Sequence, residues 1–409
     1  MSQPVSPVGL PATPRPAEEP GTDITVMNMG PHHPSTHGVL RLILTLQGET
    51  VLAAEPDIGF LHTGIEKTAE VKTYSQALTL TDRMDYLGPL CNNLGYCLAV
   101  EKLLGVEIPQ RVQDIRLCLA ELQRIASHLV WLGSSGLDAG ASSVFLYCFE
   151  DRERILDIFE ELSGVRMMTS YIQVGGLMAQ ITESFHRMVG EVLNRLEAHH
   201  QMYHDLLTDN EIWRERTVGV GVLSAEQALA YGITGPVARA SGIDWDLRRD
   251  MPYTGYEAYS FAVPVERAGD AYARYLVRME EIRQSVLICR QAIERIEPQG
   301  PFRCHDRKVV PPPRREISSS MEALIHHFKL FTEGFSPPPG EVYVRTESPR
   351  GELGFYIVSD GSNKPYRMHV RTPSFAHVQA LPLLLEGGSV ADAVVSIASV
   401  DFVLGDVDR

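Results

Sequence analysis

Residues 267–297 read RAGDAYARYLVRMEEIRQSVLICRQAIERIE, and this stretch decides the fold class. Ala271, Tyr275, Met279, Ile282, Val286, Cys289, Ile293 and Ile296 recur at intervals of three and four, the period of one face of an α-helix. A seam of that length wants a partner helix beside it and needs no cofactor to explain it. Upstream, Val112, Ile115, Leu119, Leu122, Ile125, Leu129 and Leu132 follow Pro109 with the same spacing and predict a long amphipathic helix that stops near Gly133. Another is predicted over about 183–208, and helical patterning dominates 65–300.

Strand signals flank this helical core. Ile24 to Met29 and Gly38 to Leu46 have the β-branched, alternating character of short strands, with Gly48 and Glu49 as a turn. Residues 341–346, 353–358 and 366–371 repeat it near the other end, with Asp360-Gly361 turning the chain. Ser224 with Gln227 and Ser319 with Glu322 read as capping boxes, and Val390 to Val400 as a small apolar helix. The expected class is α+β and predominantly helical. Its expected parts are a Pro-rich arm (1–21), an N-terminal β region (22–64), a helical core (65–300) and a C-terminal α+β region (301–409).

Composition excludes several functions. With 37 Lys+Arg against 52 Asp+Glu the formal charge is −15, which argues against nucleic acid or an anionic membrane as a partner held by bulk electrostatics. No window approaches the roughly 18 apolar residues that span a bilayer. Six prolines in the first 20 residues, with neither an apolar nor a basic leader segment, predict a draped or disordered arm in place of a signal peptide. The six cysteines form no C-x-x-C pair, which leaves reduced, buried thiols as the plain reading. No G-x-G-x-x-G after a strand, no Walker lysine loop and no G-x-S-x-G are present.

Three segments carry candidate chemistry. The loop from Pro31 to Gly38 holds His32, His33 and His37 between two prolines, a setting without fixed metal geometry. A histidine pinned there is either a structural hydrogen-bonding group or a proton donor at a pocket. Arg83-Met-Asp-Tyr86 precedes an apolar helix from Leu87 to Leu104 and reads as a capping and ion-pair motif or as part of a site. Asp138, between Gly136 and Gly140, reads as a turn or N-cap acid or as a functional carboxylate.

Taken in order along the chain, these segments match one family. Gly30-Pro-His-His-Pro-Ser-Thr-His-Gly38, Ile58-Gly-Phe-Leu-His-Thr-Gly64 with Glu66-Lys67, Arg83-Met-Asp-Tyr86, Ser127-His-Leu129, Tyr253-x-Gly-Tyr256 after Gly242, Thr332-Glu-Gly334, Gly351-Glu-Leu-Gly354 to Ser359-Asp-Gly361, and Gly405-Asp-Val-Asp-Arg409 all occur. Residues 22–409 thereby resemble the D subunit of proton-translocating NADH:quinone oxidoreductase, respiratory complex I, whose fold is similar to the large subunit of nickel-iron hydrogenases.

The resemblance implies a catalytic constellation of His37, Tyr86 and Asp138. His37 and Tyr86 would hydrogen-bond the head group of a ubiquinone or menaquinone, and Asp138 would pair with the histidine. It implies a B subunit carrying a tetranuclear iron-sulfur cluster, with Arg83 and Met168 near that cluster. A C subunit, other hydrophilic-arm subunits and a membrane arm are the further implied partners, with the chain peripheral on the cytoplasmic side of the membrane. The hydrogenase metal-ligand positions correspond to Asp85, Gly88, Val403 and Asp406, none of which is cysteine, so no metal is expected in this chain.

Three positions depart from the family pattern. Met168 stands where a histidine is usual, Gln173 where an arginine is common, and Asp401-Phe402 where Asp-Pro is usual. Two other readings are a purely structural scaffold of the complex and a hydrogenase-related subunit of another membrane-associated oxidoreductase.

Overall fold

The computed structural model describes residues 24–32 and 38–409. Helix Ala271–Arg295 lies against helix Gln110–Asp138, which packs in turn on helix Ser142–Ser163. Helix Phe185–Leu207 completes the bundle against Ala271–Arg295 and Ser142–Ser163. The seam residues Tyr275, Met279, Ile282, Val286 and Cys289 are buried, as predicted. Charged and polar residues of that helix are buried too: Arg274, Arg278, Glu281 and Ser285 are enclosed, while Arg283 and Leu287 are exposed. Buried charges must be paired internally. Here Glu281 accepts from Arg239 and sits 2.8 Å from His128 Nε2, and Ser285 donates to Glu121 at 2.6 Å.

Helix Gln110–Asp138 does not stop near Gly133 but runs five residues further. Glycine there serves packing: a Cβ at Gly133 would lie 3.4 Å from Phe145 Cα and from Cys148 Cβ, so its absence lets the next helix approach. The predicted capping box of Ser319 and Glu322 does not form: Ser320 caps helix Met321–Thr332 by accepting from the Ala323 N–H at 3.3 Å, and alanine at that position cannot return a bond. The box at Ser224 and Gln227 forms as predicted.

The N-terminal sheet is an antiparallel meander, β1 (Ile24–Met29), β2 (Arg41–Gln47) and β3 (Thr50–Asp57). The second strand starts three residues later than expected, and the third carries no clear strand signal, since Pro56 and two adjacent alanines interrupt its alternation. Leu42, Leu44 and Leu46 point inward and share an apolar core with Leu381, Ile397, Val400 and Leu404. The N-terminal sheet and the C-terminal helices are therefore stitched together. A short hairpin, β4 (Ile172–Gln173) and β5 (Gly176–Leu177), lies within the helical part.

The C-terminal sheet, β6 (Gly340–Ser348), β7 (Gly351–Ser359) and β8 (Arg367–Arg371), packs Phe355 onto helix Pro89–Leu104. A Cβ at Gly95 would lie 2.9 Å from that ring, so glycine makes the contact. Arg124 fixes the tip of the β6–β7 hairpin by donating to the carbonyls of Ser348 (2.9 Å) and Glu347 (2.7 Å).

Candidate functional site

Residues 82–88 link helix Tyr74–Thr81 to helix Pro89–Leu104, so Arg83-Met-Asp-Tyr86 lies ahead of a helix start. The C-terminal helix Leu404–Asp408 lies directly on this link. A Cβ at Gly405 would sit 2.4 Å from the Met84 carbonyl oxygen, 2.9 Å from that of Arg83 and 3.3 Å from Tyr86 Cδ1. Only glycine permits that approach. On the other side, a Cβ at Gly38 would fall 3.2 Å from Leu404 and 4.0 Å from the Tyr86 hydroxyl. The end of the histidine loop, the phenol and the C-terminal helix thus meet at one place.

Behind Tyr86 lies a buried charged cluster. Arg350, at the β6–β7 turn, donates through Nη1 to Asp85 Oδ2 (2.6 Å) and Ser127 Oγ (3.1 Å), and through Nη2 to Asp401 Oδ1 (3.2 Å). Arg278 holds the end of helix Val390–Val400 by donating to the carbonyls of Ser399 (2.9 Å) and Val400 (3.1 Å), with Asp401 Oδ2 4.0 Å from its Nε. Asp401 itself caps that helix in the left-handed region at φ 58°.

The positions inferred as former metal ligands border this cluster. Asp85 accepts from the Leu87 N–H at 3.1 Å and folds over Gly88, whose Cβ would meet it at 2.7 Å. The Val403 N–H donates to Ser374 Oγ at 3.4 Å, and the Ser374 N–H donates to Asp406 Oδ2 at 3.3 Å. Among the described residues no group of three or more His, Cys, Asp and Glu is placed to hold a metal ion. What occupies the centre of this constellation is the Arg350 guanidinium.

Crowding three carboxylates around one arginine shifts their proton affinities. Burial pushes the Asp406 carboxyl up to about 6, helped by the Asp85 charge and opposed by Ser374 and Arg350. Asp85 is raised as well, by burial first, against Arg350. Tyr86 is half-buried; burial raises its phenol, Arg350 draws it back and Asp85 adds to the rise. The phenol therefore keeps its proton at neutral pH and is available as a donor.

The remaining predicted residues are placed as follows. His37 lies outside the described residues, as does His33, while His32 is exposed. Asp138 is the last residue of helix Gln110–Asp138 and half-buried, not an N-cap acid. Eleven residues along the same helix from Ser127, it stands about 16 Å from that residue along the axis. Arg83 is exposed and donates to the Thr79 carbonyl at 2.7 Å. Met168 (φ 53°) and Ser170 (φ 43°) are both left-handed, and Ser170 hydrogen-bonds Asp82, so this segment leans on the residue before Arg83.

Of the departures, Gln173 lines a cleft of about 670 Å³ together with Thr73, Leu78, Met178 and Phe331, and Tyr86 is not part of its wall. Phe402 is buried in the core shared by the N-terminal sheet and the C-terminal helices. Sequence reading missed Arg350 and the use of Asp401 and Ser127. The quoted Ser127-His-Leu129 segment was the available signal for one of them.

The fold and site define a predominantly helical α+β chain with a half-buried phenol, Tyr86, beside a buried arginine–carboxylate centre. Residues 138–409 match the family model for the respiratory-chain NADH dehydrogenase 49 Kd subunit. The NADH-quinone oxidoreductase D 2 subunit of Roseiflexus sp. (strain RS-1) is 60% identical over 397 residues, 97% of this chain and 95% of the relative. The corresponding D 2 subunit of Chloroflexus aurantiacus is 58% identical over 409 residues (98% and 99%), and the D subunit of Geotalea uraniireducens 54% over 388 (95% and 99%). The chain belongs to this family of respiratory complex I subunits, and its enzymatic role is as part of that oxidoreductase complex. No helix among the described residues is long and apolar enough to cross a membrane.

Proposed function

We propose that the region around Tyr86 receives the head group of a quinone and protonates it as electrons arrive. The observation that carries this reading is the position of the Tyr86 hydroxyl, beside Gly38 and Leu404 and in front of the Arg350 cluster. Reducing a quinone to a quinol adds two electrons and two protons, and negative charge develops on the carbonyl oxygens before the protons arrive. A phenol held protonated by burial is suited to donate a hydrogen bond there, and His37 is the second donor. Asp138 holds that histidine's orientation and favours its charged form.

The rest of the reading follows from the assembly. Electrons come from a tetranuclear iron-sulfur cluster in a B subunit, with Arg83 and Met168 turned toward it. A C subunit and a membrane arm complete the enzyme on the cytoplasmic face of the membrane. Loss of protons from His37 and Tyr86 frees Asp138 to reorganise, which starts proton translocation elsewhere in the complex. Met321, Leu324, Ile325, Phe328 and Phe331 form an exposed apolar face of the kind an assembly covers.

Tyr86→Phe in the assembled complex tests the head-group contact. NADH:quinone turnover is expected to fall at least about tenfold, since a positioned proton donor typically contributes about 10²–10⁴-fold. NADH oxidation by an artificial acceptor that bypasses the quinone pocket is expected to persist. Unchanged quinone turnover refutes the contact and favours a purely structural chain.

A further inference from the structure

Arg350 pairs with Asp85, the residue before Tyr86, and does not belong to the predicted donor set. Its guanidinium gathers three elements: the link carrying Asp85, helix Gln110–Asp138 through Ser127, and the segment after helix Val390–Val400 through Asp401. Asp85 is the residue before Tyr86, and its second oxygen accepts from the Leu87 N–H, so one carboxylate ties down the backbone on both sides of the phenol. Gly405 presses on the same link from the opposite face.

We propose that Arg350 is the positioning residue of Tyr86: through Asp85 it fixes the phenol's place, and its buried guanidinium offsets the Asp85 charge beside the hydroxyl. This rests on the reading that Tyr86 contacts the quinone. The hydrogen bond from the hydroxyl then strengthens as negative charge builds on its acceptor, which favours the reduction step over ground-state binding.

Two observations support the assignment. Arg350 is 1% exposed, so solvent and salt do little to screen its field, and that field opposes the rise that burial and Asp85 impose on the phenol. Asp401 adopts a left-handed backbone at φ 58°, a conformation that non-glycine residues keep where the surroundings hold them, and here its carboxylate meets Arg350 and Arg278.

A double-mutant cycle in the whole complex tests this, using Arg350→Lys, Tyr86→Phe and their combination, with kcat and KM for quinone measured separately. Lysine keeps the charge but cannot span Asp85, Ser127 and Asp401 together. Arg350→Lys is expected to lower kcat about tenfold with KM changed less than about threefold, and to cause no further loss once Tyr86→Phe is present. Ser127→Ala, which removes one contact and no charge, carries the same cycle at about two- to threefold if Arg350→Lys does not assemble. Losses that multiply independently in the combined variant, or an unaltered kcat in these Arg350 and Ser127 variants, overturn the proposal while leaving the Tyr86 contact standing. Full activity of Tyr86→Phe overturns both.

Discussion

Arg350 and Asp85 stand 265 positions apart in the chain and meet in a buried ion pair at 2.6 Å. Removing Asp85 leaves the buried guanidinium with Asp401 as its remaining carboxylate partner, and the lost charged hydrogen bond costs about 1.5–3 kcal/mol. Asp85→Ala is therefore expected to destabilise the chain by that amount, seen as release of this subunit from the heated complex at a clearly lower temperature. Asp85→Asn, which keeps the shape and one acceptor, is expected to lose less.

Asp406 gives stability a pH dependence of known sign. Its folded-state carboxyl is raised from 3.8 to about 6, so the unfolded chain loses that proton first as pH rises. The contribution is fully present below about pH 4 and lost by the time pH passes about 6. Asp406→Asn keeps an oxygen for the Ser374 N–H and has no proton to lose. Thermal release of the subunit, followed between pH 4 and 7, is expected to vary less steeply in this variant than in the parent.

Gly405→Ala places a methyl group 2.4 Å from the Met84 carbonyl oxygen, a distance that forces the C-terminal helix off the link. Overpacking of this kind costs about 1–3 kcal/mol, so the complex is expected to assemble. The displacement falls on Tyr86, and quinone turnover is expected to drop at least about tenfold with artificial-acceptor activity retained. Equal retention of both activities contradicts the placement of Tyr86 in the site.

Met168 carries no exchangeable proton at a position inferred to face the neighbouring cluster. Met168→His is expected to steepen the pH dependence of that cluster's midpoint potential in a redox titration of the complex. An identical slope in parent and variant places residue 168 away from the cluster.

How much of this was legible in the sequence depended on whether a residue's role is periodic or long-range. Tyr275 to Cys289 declared their helix because burial on one face imposes a period. Gly133 misled, because glycine lowers helix propensity yet is retained where two helices approach closely. The proposed donors His37 and Tyr86 were reachable through resemblance. Arg350 was not, since a buried arginine looks like a surface one until the hairpin tip, Ser127 and Asp401 are brought to it. Thr50–Asp57 escaped for a local reason: its pattern is broken by Pro56, and partnership with β2 restores the strand.

The central claim is that the quinone head group meets this chain at Tyr86, between Gly38 and Leu404. A photoreactive quinone analogue, activated in the intact complex with and without excess quinone and followed by peptide mapping, tests it most directly. The account predicts quinone-protected labelling of the peptides that carry Gly38, Tyr86 or Leu404. Protected labelling confined to the cleft lined by Thr73, Leu78, Met178 and Phe331 would contradict it.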